Sequence, residues 1–146
     1  MSYATVEAAV ITAIRTHADF DSNNCIAGDS SPIKKGYERV CRVWYGSSRR
    51  EEVTISLMRH IWTVRIDIFV PYRGKIQDME ATLASERQKV IDTLATYPRL
   101  NDLTGVTKAE ILNGDSPEPL NPKRTSYRGQ RLYLEVHEIV KPARVG

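Results

Sequence analysis

The most regular stretch of this sequence is His60-Ile61-Trp62-Thr63-Val64-Arg65-Ile66-Asp67-Ile68-Phe69-Val70. Side chains of one parity are apolar, namely Trp62, Val64, Ile66, Ile68 and Val70. Side chains of the other parity include Thr63, Arg65 and Asp67. Such alternation is typical of a β-strand with one buried and one solvent-facing side. We therefore predict a sheet whose apolar face is covered by other elements.

Length and composition are those of one ordinary globular domain. The chain has 146 residues, of which 41% are hydrophobic and 27% are charged, so we expect residues 1–146 to form a single domain. Its net charge of +3 is too small to point to nucleic acid as a partner. No apolar stretch approaches the ~18 residues of a membrane span, and the N-terminus lacks the pattern of a signal peptide. We expect a protein that is made and kept in the cytosol.

Two helices are predicted, one before and one after this strand along the chain. The first has Ser2 or Thr5 as its N-cap and ends near Thr16 to Ala18. Its apolar positions recur every three or four residues, at Val6, Ala9, Val10, Ala13 and Ile14. The second helix begins after Gly74 and ends before Pro98. Its apolar stripe comprises Ile76, Met79, Leu83, Val90, Ile91, Leu94 and Tyr97.

The stretch before the central strand predicts two more antiparallel strands. Residues 37–45 alternate, and Gly46-Ser47-Ser48 reads as a hairpin turn into a second strand over residues 50–57. Apolar residues are odd-numbered in that second strand and even-numbered from Trp62 onward. This change of phase predicts a turn or bulge near residues 58–60. The result is a meander of three strands.

Short segments elsewhere complete the predicted sheet. Residues 25–27 are expected to form an edge strand, residues 106–112 a strand, and residues 128–140 the closing strand. Residues 113–126 are rich in turn-forming residues and poor in apolar anchors, so we expect a mobile arm there. The predicted fold class is α+β, with a mostly antiparallel sheet of about four to five strands and two helices packed on one face.

The sequence predicts no catalytic, cofactor or metal site. The histidine and cysteine residues lie in different predicted elements without the spacing of metal ligands. A triad drawn from Ser56, His60 and Asp67 lacks the strained turn that presents a nucleophile. The glycines form neither a dinucleotide-binding motif nor a phosphate-binding loop. Enzyme activity is therefore not expected.

Basic residues cluster in two places and define a candidate interface. One cluster is Arg49-Arg50, and the other is Lys123-Arg124 with Arg128 and Arg131. Aromatic residues nearby could stack on nucleic-acid bases, but the same residues suit the rim of a protein interface, which we favour. With the polar face of the central strand, the candidate interface residues are Arg49, Arg50, Arg65, Asp67, Lys123, Arg124, Arg128, Arg131 and Tyr133.

The order of these elements resembles that of the tail terminator, or tail completion, proteins of long-tailed bacteriophages. Four features carry the resemblance over nearly the whole chain. They are the opening helix with Val6-Glu7-Ala8-Ala9-Val10, the strand 62–70, the long helix after Gly74, and the closing strand 132–140. These are patterns of size and order, so the resemblance assigns no role to any single residue.

What the resemblance implies is a structural, non-enzymatic protein of the virion, assembled in the host cytoplasm. Such proteins form a hexameric ring at the head-proximal end of the tail tube. The ring terminates polymerisation of the tube and joins the tail to the head connector or stopper protein. Its partners are thus further copies of itself, the tail tube protein and the connector, with DNA only as passing cargo and no membrane.

Two other interpretations remain open from the sequence. The chain could be another head-tail neck or connector protein. It could instead be a small cytosolic α+β module that binds a ligand or a protein in a concave pocket. A binding module should be monomeric or dimeric, whereas a terminator should form a ring.

Overall fold

The structure is a computed structural model that describes residues 1–28, 37–71, 75–112, 119–120 and 127–140. Within these ranges the elements are, in chain order, α1 (Tyr3–Ile14), β1 (Cys25–Ala27), β2 (Val40–Thr54), β3 (Leu57–Pro71), α2 (Ile76–Ala95), β4 (Val106–Ile111), β5 (Pro119–Leu120) and β6 (Tyr127–Val140).

All described strands belong to one sheet. Its order is β1-β2-β3-β6-β4, and the two-residue β5 also pairs with β6. The β1–β2 pair is parallel and the other pairs are antiparallel. The predicted α+β class and mostly antiparallel sheet are therefore confirmed. The predicted strands at 25–27, 106–112 and 128–140 correspond to β1, β4 and β6.

Both helices begin and end close to the predicted positions. The Thr5 amide donates a hydrogen bond of 3.3 Å to Ser2 Oγ, so Ser2 is the N-cap of α1. α1 ends at Ile14, about one turn before the predicted end. The Thr16 amide then donates a hydrogen bond to the carbonyl of Ala13, three residues earlier, which gives the tighter turn of a 3₁₀-helix. α2 ends at Ala95. It begins at Ile76 with Lys75 as its N-cap, directly after Gly74 as predicted.

The hydrophobic core lies between the helices and one face of the sheet. We call this the inner face. Its buried strand residues are Cys41, Val43, Trp62, Val64, Ile66, Ile68, Val70, Leu132, Leu134 and Val136. The helices contribute Val6, Val10, Ile11, Ala13, Ile14, Leu83, Val90 and Leu94 to the same cluster. The alternation of the central strand thus identified the face that the helices cover.

The predicted turn at Gly46-Ser47-Ser48 is wrong. β2 continues from Val40 to Thr54, and the chain reverses at Ile55-Ser56 instead. At Gly46 the pairing with β3 shifts by one residue, which is a β-bulge. The reason is steric: a Cβ atom at Gly46 would lie 2.5 Å from the carbonyl oxygen of Thr63. Glycine here permits the close approach of two strands, and it does not reverse the chain.

The predicted turn or bulge near residues 58–60 is also wrong. These residues lie inside β3 and pair with both β2 and β6. The phase changes because the odd-numbered Val53 and Ile55 are exposed near the reversal, and Leu57 has the parity opposite to that of the inner face. Two long strands therefore replace the predicted meander of three.

Replacing Gly46 with alanine should destabilise the fold by about 1–3 kcal/mol, the usual range for forcing extra atoms into a packed site. The new methyl group would meet backbone, which cannot rotate away. Ser47→Ala is the matched control, because Ser47 is exposed and its loss should change stability by less than about 0.5 kcal/mol. Urea denaturation of both variants measures the difference, and equal midpoints would contradict the bulge.

The predicted arm at 113–126 lies outside the described residues, except for Pro119 and Leu120. These two pair with Gln130 and Gly129 of β6. The expectation that this arm is mobile before assembly stays a prediction.

Candidate interaction surface

The side of the sheet that faces away from the helices carries most of the described polar candidates. We call it the outer face. Residues directly opposite each other on antiparallel strands point to the same side, so β2, β3 and β6 build cross-strand rows. One row is Arg42, Asp67 and Arg131, and the next is Trp44, Arg65 and Tyr133.

Asp67 anchors the first row. The Arg131 guanidinium binds its carboxylate through two hydrogen bonds, from Nε at 2.8 Å and from Nη2 at 3.2 Å. This hydrogen bonding raises the pKa of Arg131. The sequence predicts a solvent-facing Asp67, but the side chain is only 3% exposed. Asp67 lies on the predicted side of the strand. Its ion pair with the Arg131 guanidinium offsets part of the free-energy cost of removing the carboxylate from water.

Arg42 is a second guanidinium beside the same carboxylate. Burial lowers the pKa of Arg42, and the charge of Asp67 partly opposes this shift. Its Nε and Nη2 atoms are buried and have no hydrogen-bond partner among the described residues. With two guanidinium groups and one carboxylate, the first row carries an excess of positive charge.

The second row places a cation between two aromatic residues. The Arg65 guanidinium lies 5.7 Å from the centre of the Trp44 ring, a cation–π distance. Its Nε atom is buried without a partner among the described residues. Tyr133 is 36% exposed. The exposed Leu112 lies beside it, because the Leu112 amide donates a 2.9 Å hydrogen bond to the Tyr133 carbonyl. Arginine, tryptophan and tyrosine are the residues most enriched at the energetic centres of protein interfaces.

A cluster of Glu110, Glu135 and His137 lies further along the outer face. Their potential ligand atoms lie within 4.8 Å of one another, and such a donor set can bind a divalent cation. However, Lys108 lies 3.1 Å from Glu110 and Arg49 lies 3.6 Å from Glu135. Both carboxylates already have cationic partners, so ion pairing within the chain accounts for this cluster.

The structure brings four of the predicted interface residues together on the outer face, namely Arg65, Asp67, Arg131 and Tyr133. Arg49 lies on the same face further along the β2–β3 hairpin, opposite Ile61.

The remaining predicted interface residues lie elsewhere. Arg50 has the opposite parity and pairs with His60 on the inner side. Arg128 faces the helices, where it forms an ion pair with Glu80 of α2. Lys123 and Arg124 lie outside the described residues. Within the second predicted basic cluster, Arg128 therefore lies on the inner side of the sheet and Arg131 on the outer face.

Sequence reasoning missed two central members of this surface, Arg42 and Trp44. The signal was present, because both alternate with the buried Cys41 and Val43 and so must lie on the opposite side of the strand. Trp44 also packs against Gly28, where a Cβ atom would lie 2.1 Å from the Trp44 ring. That contact depends on the pairing of β1 with β2, and local sequence does not reveal it.

An open groove of about 660 Å³ lies on the far side of the molecule, between α1 and the segment after α2. Its lining residues are Ala4, Thr5, Ala8, Ala9, Thr12, Ala13, Thr16, Tyr97, Leu100, Asn101 and Leu103. These side chains are small, apolar or uncharged, so the groove is suited to an apolar group, with hydroxyl groups from Thr5, Thr12, Thr16 and Tyr97 as its hydrogen-bonding side chains together with Asn101.

The two cysteines face each other in the core. Cys25 and Cys41 are direct partners in the parallel β1–β2 pair, and both are free and buried. A hydrogen bond between the two thiols lowers the pKa of Cys25 and raises that of Cys41. Their burial makes both thiols poor targets for reagents in solution.

Comparison with protein-family models finds no match for this chain, and a search of curated proteins finds none with significant similarity. Among the described helices, neither is long and apolar enough to cross a membrane.

Proposed function

We propose that this chain is a structural protein of a phage virion, the terminator of a long tail. Copies of the chain form a ring at the head-proximal end of the tail tube, stop its polymerisation and present a surface to the head connector. The order of helices and strands, which resembles that of tail terminators, is the first support for this proposal.

The observation that carries the proposal is the outer face of the sheet, which neither of the described helices covers. The outer face carries Trp44, Arg65 and Tyr133 beside Arg42, and the Arg42 guanidinium has buried donor atoms without a partner among the described residues. Arginine and aromatic residues of this kind favour a protein partner. A structural subunit that assembles with copies of itself requires such a surface.

The β2–β3 hairpin is the second support. The apolar residues near its tip are exposed, with Val53 at 44% and Ile55 at 97%. The chain thus has two dissimilar surfaces that no described helix covers. Dissimilar surfaces make heterologous contacts, and these close into rings when the rotation between subunits permits.

The proposal assigns no catalytic group, cofactor or metal to the chain. Further copies of the chain, the tail tube protein and the connector or stopper protein are its partners, and DNA only passes through the ring. The proposed location is the neck of the virion, after assembly in the host cytoplasm.

Disruption of the gene tests this function directly. Lysates without the protein should contain tails whose tubes vary in length and do not join heads, as seen by negative-stain electron microscopy. Supplying the intact protein from a plasmid should restore uniform, joined tails. Tails of normal length that fail only at joining would instead assign the chain to another neck protein. Normal virions would reject a role in the tail.

The groove beside α1 favours one alternative, a small module that binds an apolar ligand or peptide. Its volume of about 660 Å³ lies within the range of ligand pockets. Ala8→Trp would fill this groove from an exposed position on α1. If this variant still supports tail assembly, the groove is not needed for the function proposed above.

A further inference from the structure

We infer that the tip of the β2–β3 hairpin of one copy docks on the outer face of the next copy. This contact deepens the proposed function, because it specifies how the ring is built, and it depends on the ring-forming part of that function.

The tip is the first half of the contact. Residues 47–54 of β2 are all exposed, and none of them belongs to the core cluster. At roughly 3.3 Å per residue, they extend about 26 Å. Ile55 occupies the reversal itself and is 97% exposed. Turn chemistry favours Asn, Asp, Gly or Ser at such positions, so the reversal does not explain an isoleucine. Val53, 44% exposed, adds a second apolar side chain.

The outer face is the second half. Tyr133 and Leu112 are 36% and 41% exposed and lie side by side, which provides an apolar contact for Ile55. Beside them, Arg42 and Arg65 have buried donor atoms without partners among the described residues. The nearby Asp67 carboxylate hydrogen-bonds to Arg131 through both of its oxygens.

Charge complementarity joins the two halves. Glu52 stands next to Val53, is exposed, and forms no ion pair within the described part of the chain. Its carboxylate can accept hydrogen bonds from a guanidinium of the outer face, and such charge-assisted bonds are stronger than neutral ones. An apolar tip flanked by a carboxylate thus matches an aromatic surface flanked by guanidinium groups.

We assign the occupant to a second copy, because the tip and the outer face of one copy cannot meet each other. Ile55 and Arg65 lie on the same strand pair, roughly 30 Å apart at the rise of a β-strand, so the tip cannot fold back onto its own outer face. Each copy offers one tip and one outer face. Repetition of this contact gives a closed ring when the rotation between neighbouring copies closes.

Crosslinking of two cysteine variants tests the contact. Ile55→Cys and Tyr133→Cys are purified separately, mixed at roughly 1 mM to populate contacts of millimolar Kd, and treated with a short bismaleimide. We expect a crosslinked dimer from the mixture. The double variant should give a ladder of multimers. Ile55→Cys mixed with Arg99→Cys is the decoy, because Arg99 is 61% exposed in the segment after α2, away from the outer face.

Crosslinking of the parent protein through its native cysteines should be low, because Cys25 and Cys41 are buried.

Ile55→Asp should weaken self-association measured by sedimentation at least about tenfold, as expected for loss of a central apolar anchor. Ser56→Asp adds the same charge at the tip but keeps Ile55, and it should associate more tightly than Ile55→Asp. A dimer from the decoy mixture but not from the Tyr133→Cys mixture would overturn the proposed contact, as would a chain that stays monomeric throughout.

The outcomes separate this contact from the function. Crosslinks between positions 55 and 133, with normal virions in the gene disruption, would keep the contact and reject the terminator. Tubes of uncontrolled length in the disruption, without those crosslinks, would keep the terminator and reject the contact.

Discussion

Trp62→Ala should lower the free energy of unfolding by about 3–5 kcal/mol, the range for removing a large aromatic side chain from a core. Trp62 is only 7% exposed and belongs to the cluster between the helices and the inner face. Its ring centre lies 4.0 Å from that of His60 and 6.3 Å from that of Tyr3 on α1. Alanine would leave a cavity at the junction of α1 and the sheet.

Chemical denaturation measures this loss, and two variants control for it. Trp62→Phe keeps an aromatic ring and removes an indole N–H that has no partner among the described residues, so its loss should be less than half as large. Thr63→Ala alters the next residue on the outer side and should have a small effect. A Trp62→Ala protein that unfolds at the midpoint of the parent would contradict the packing of α1 on this strand.

Asp67→Ala should destabilise the fold by about 3 kcal/mol, the lower end for breaking a buried ion pair by removing one partner. We expect the lower end of that range because the Arg131 side chain is 28% exposed, so water can hydrate it after the carboxylate is removed. Removal of the carboxylate would leave Arg42, Arg65 and Arg131 close together without a counter-charge.

Salt dependence identifies the electrostatic part of this effect. High salt screens repulsion between guanidinium groups, so the Asp67→Ala protein should regain part of its stability in 1 M sodium chloride, where the Debye length is about 3 Å. Glu51→Ala is the matched control, because Glu51 is an exposed carboxylate on the same face. Its loss should be below about 1 kcal/mol. Equal losses for the two variants would show that Asp67 does not hold this surface together.

Parity along a strand was enough to place much of the candidate surface. Arg65, Asp67, Arg131 and Tyr133 alternate with buried apolar residues, and all four lie on the outer face. The same rule applied to residues 40–45 would have added Arg42 and Trp44. Parity does not report burial, however. Asp67 is buried because of the position of Arg131, which lies 64 residues away along the chain.

Clustering in sequence was a poorer guide than parity. Arg128 and Arg131 are three residues apart, so an extended strand sends their side chains to opposite sides. Arg128 accordingly binds Glu80 of α2, while Arg131 binds Asp67. The adjacent residues Arg49 and Arg50 are divided in the same way.

The sequence by itself determined the local structure: two amphipathic helices, the alternation of the long strands, and hence the face of the sheet that is buried. Periodicity encodes these features because a side chain's direction depends only on the backbone of its own element. Only the tertiary structure decided where the chain reverses and which charges meet. Gly46 reads as a turn in isolation, yet it is a bulge because the backbone of Thr63 passes 2.5 Å from where a Cβ would be. The grouping of Arg42, Arg65 and Arg131 around Asp67 likewise follows from strand register, which depends on contacts between residues far apart in the chain.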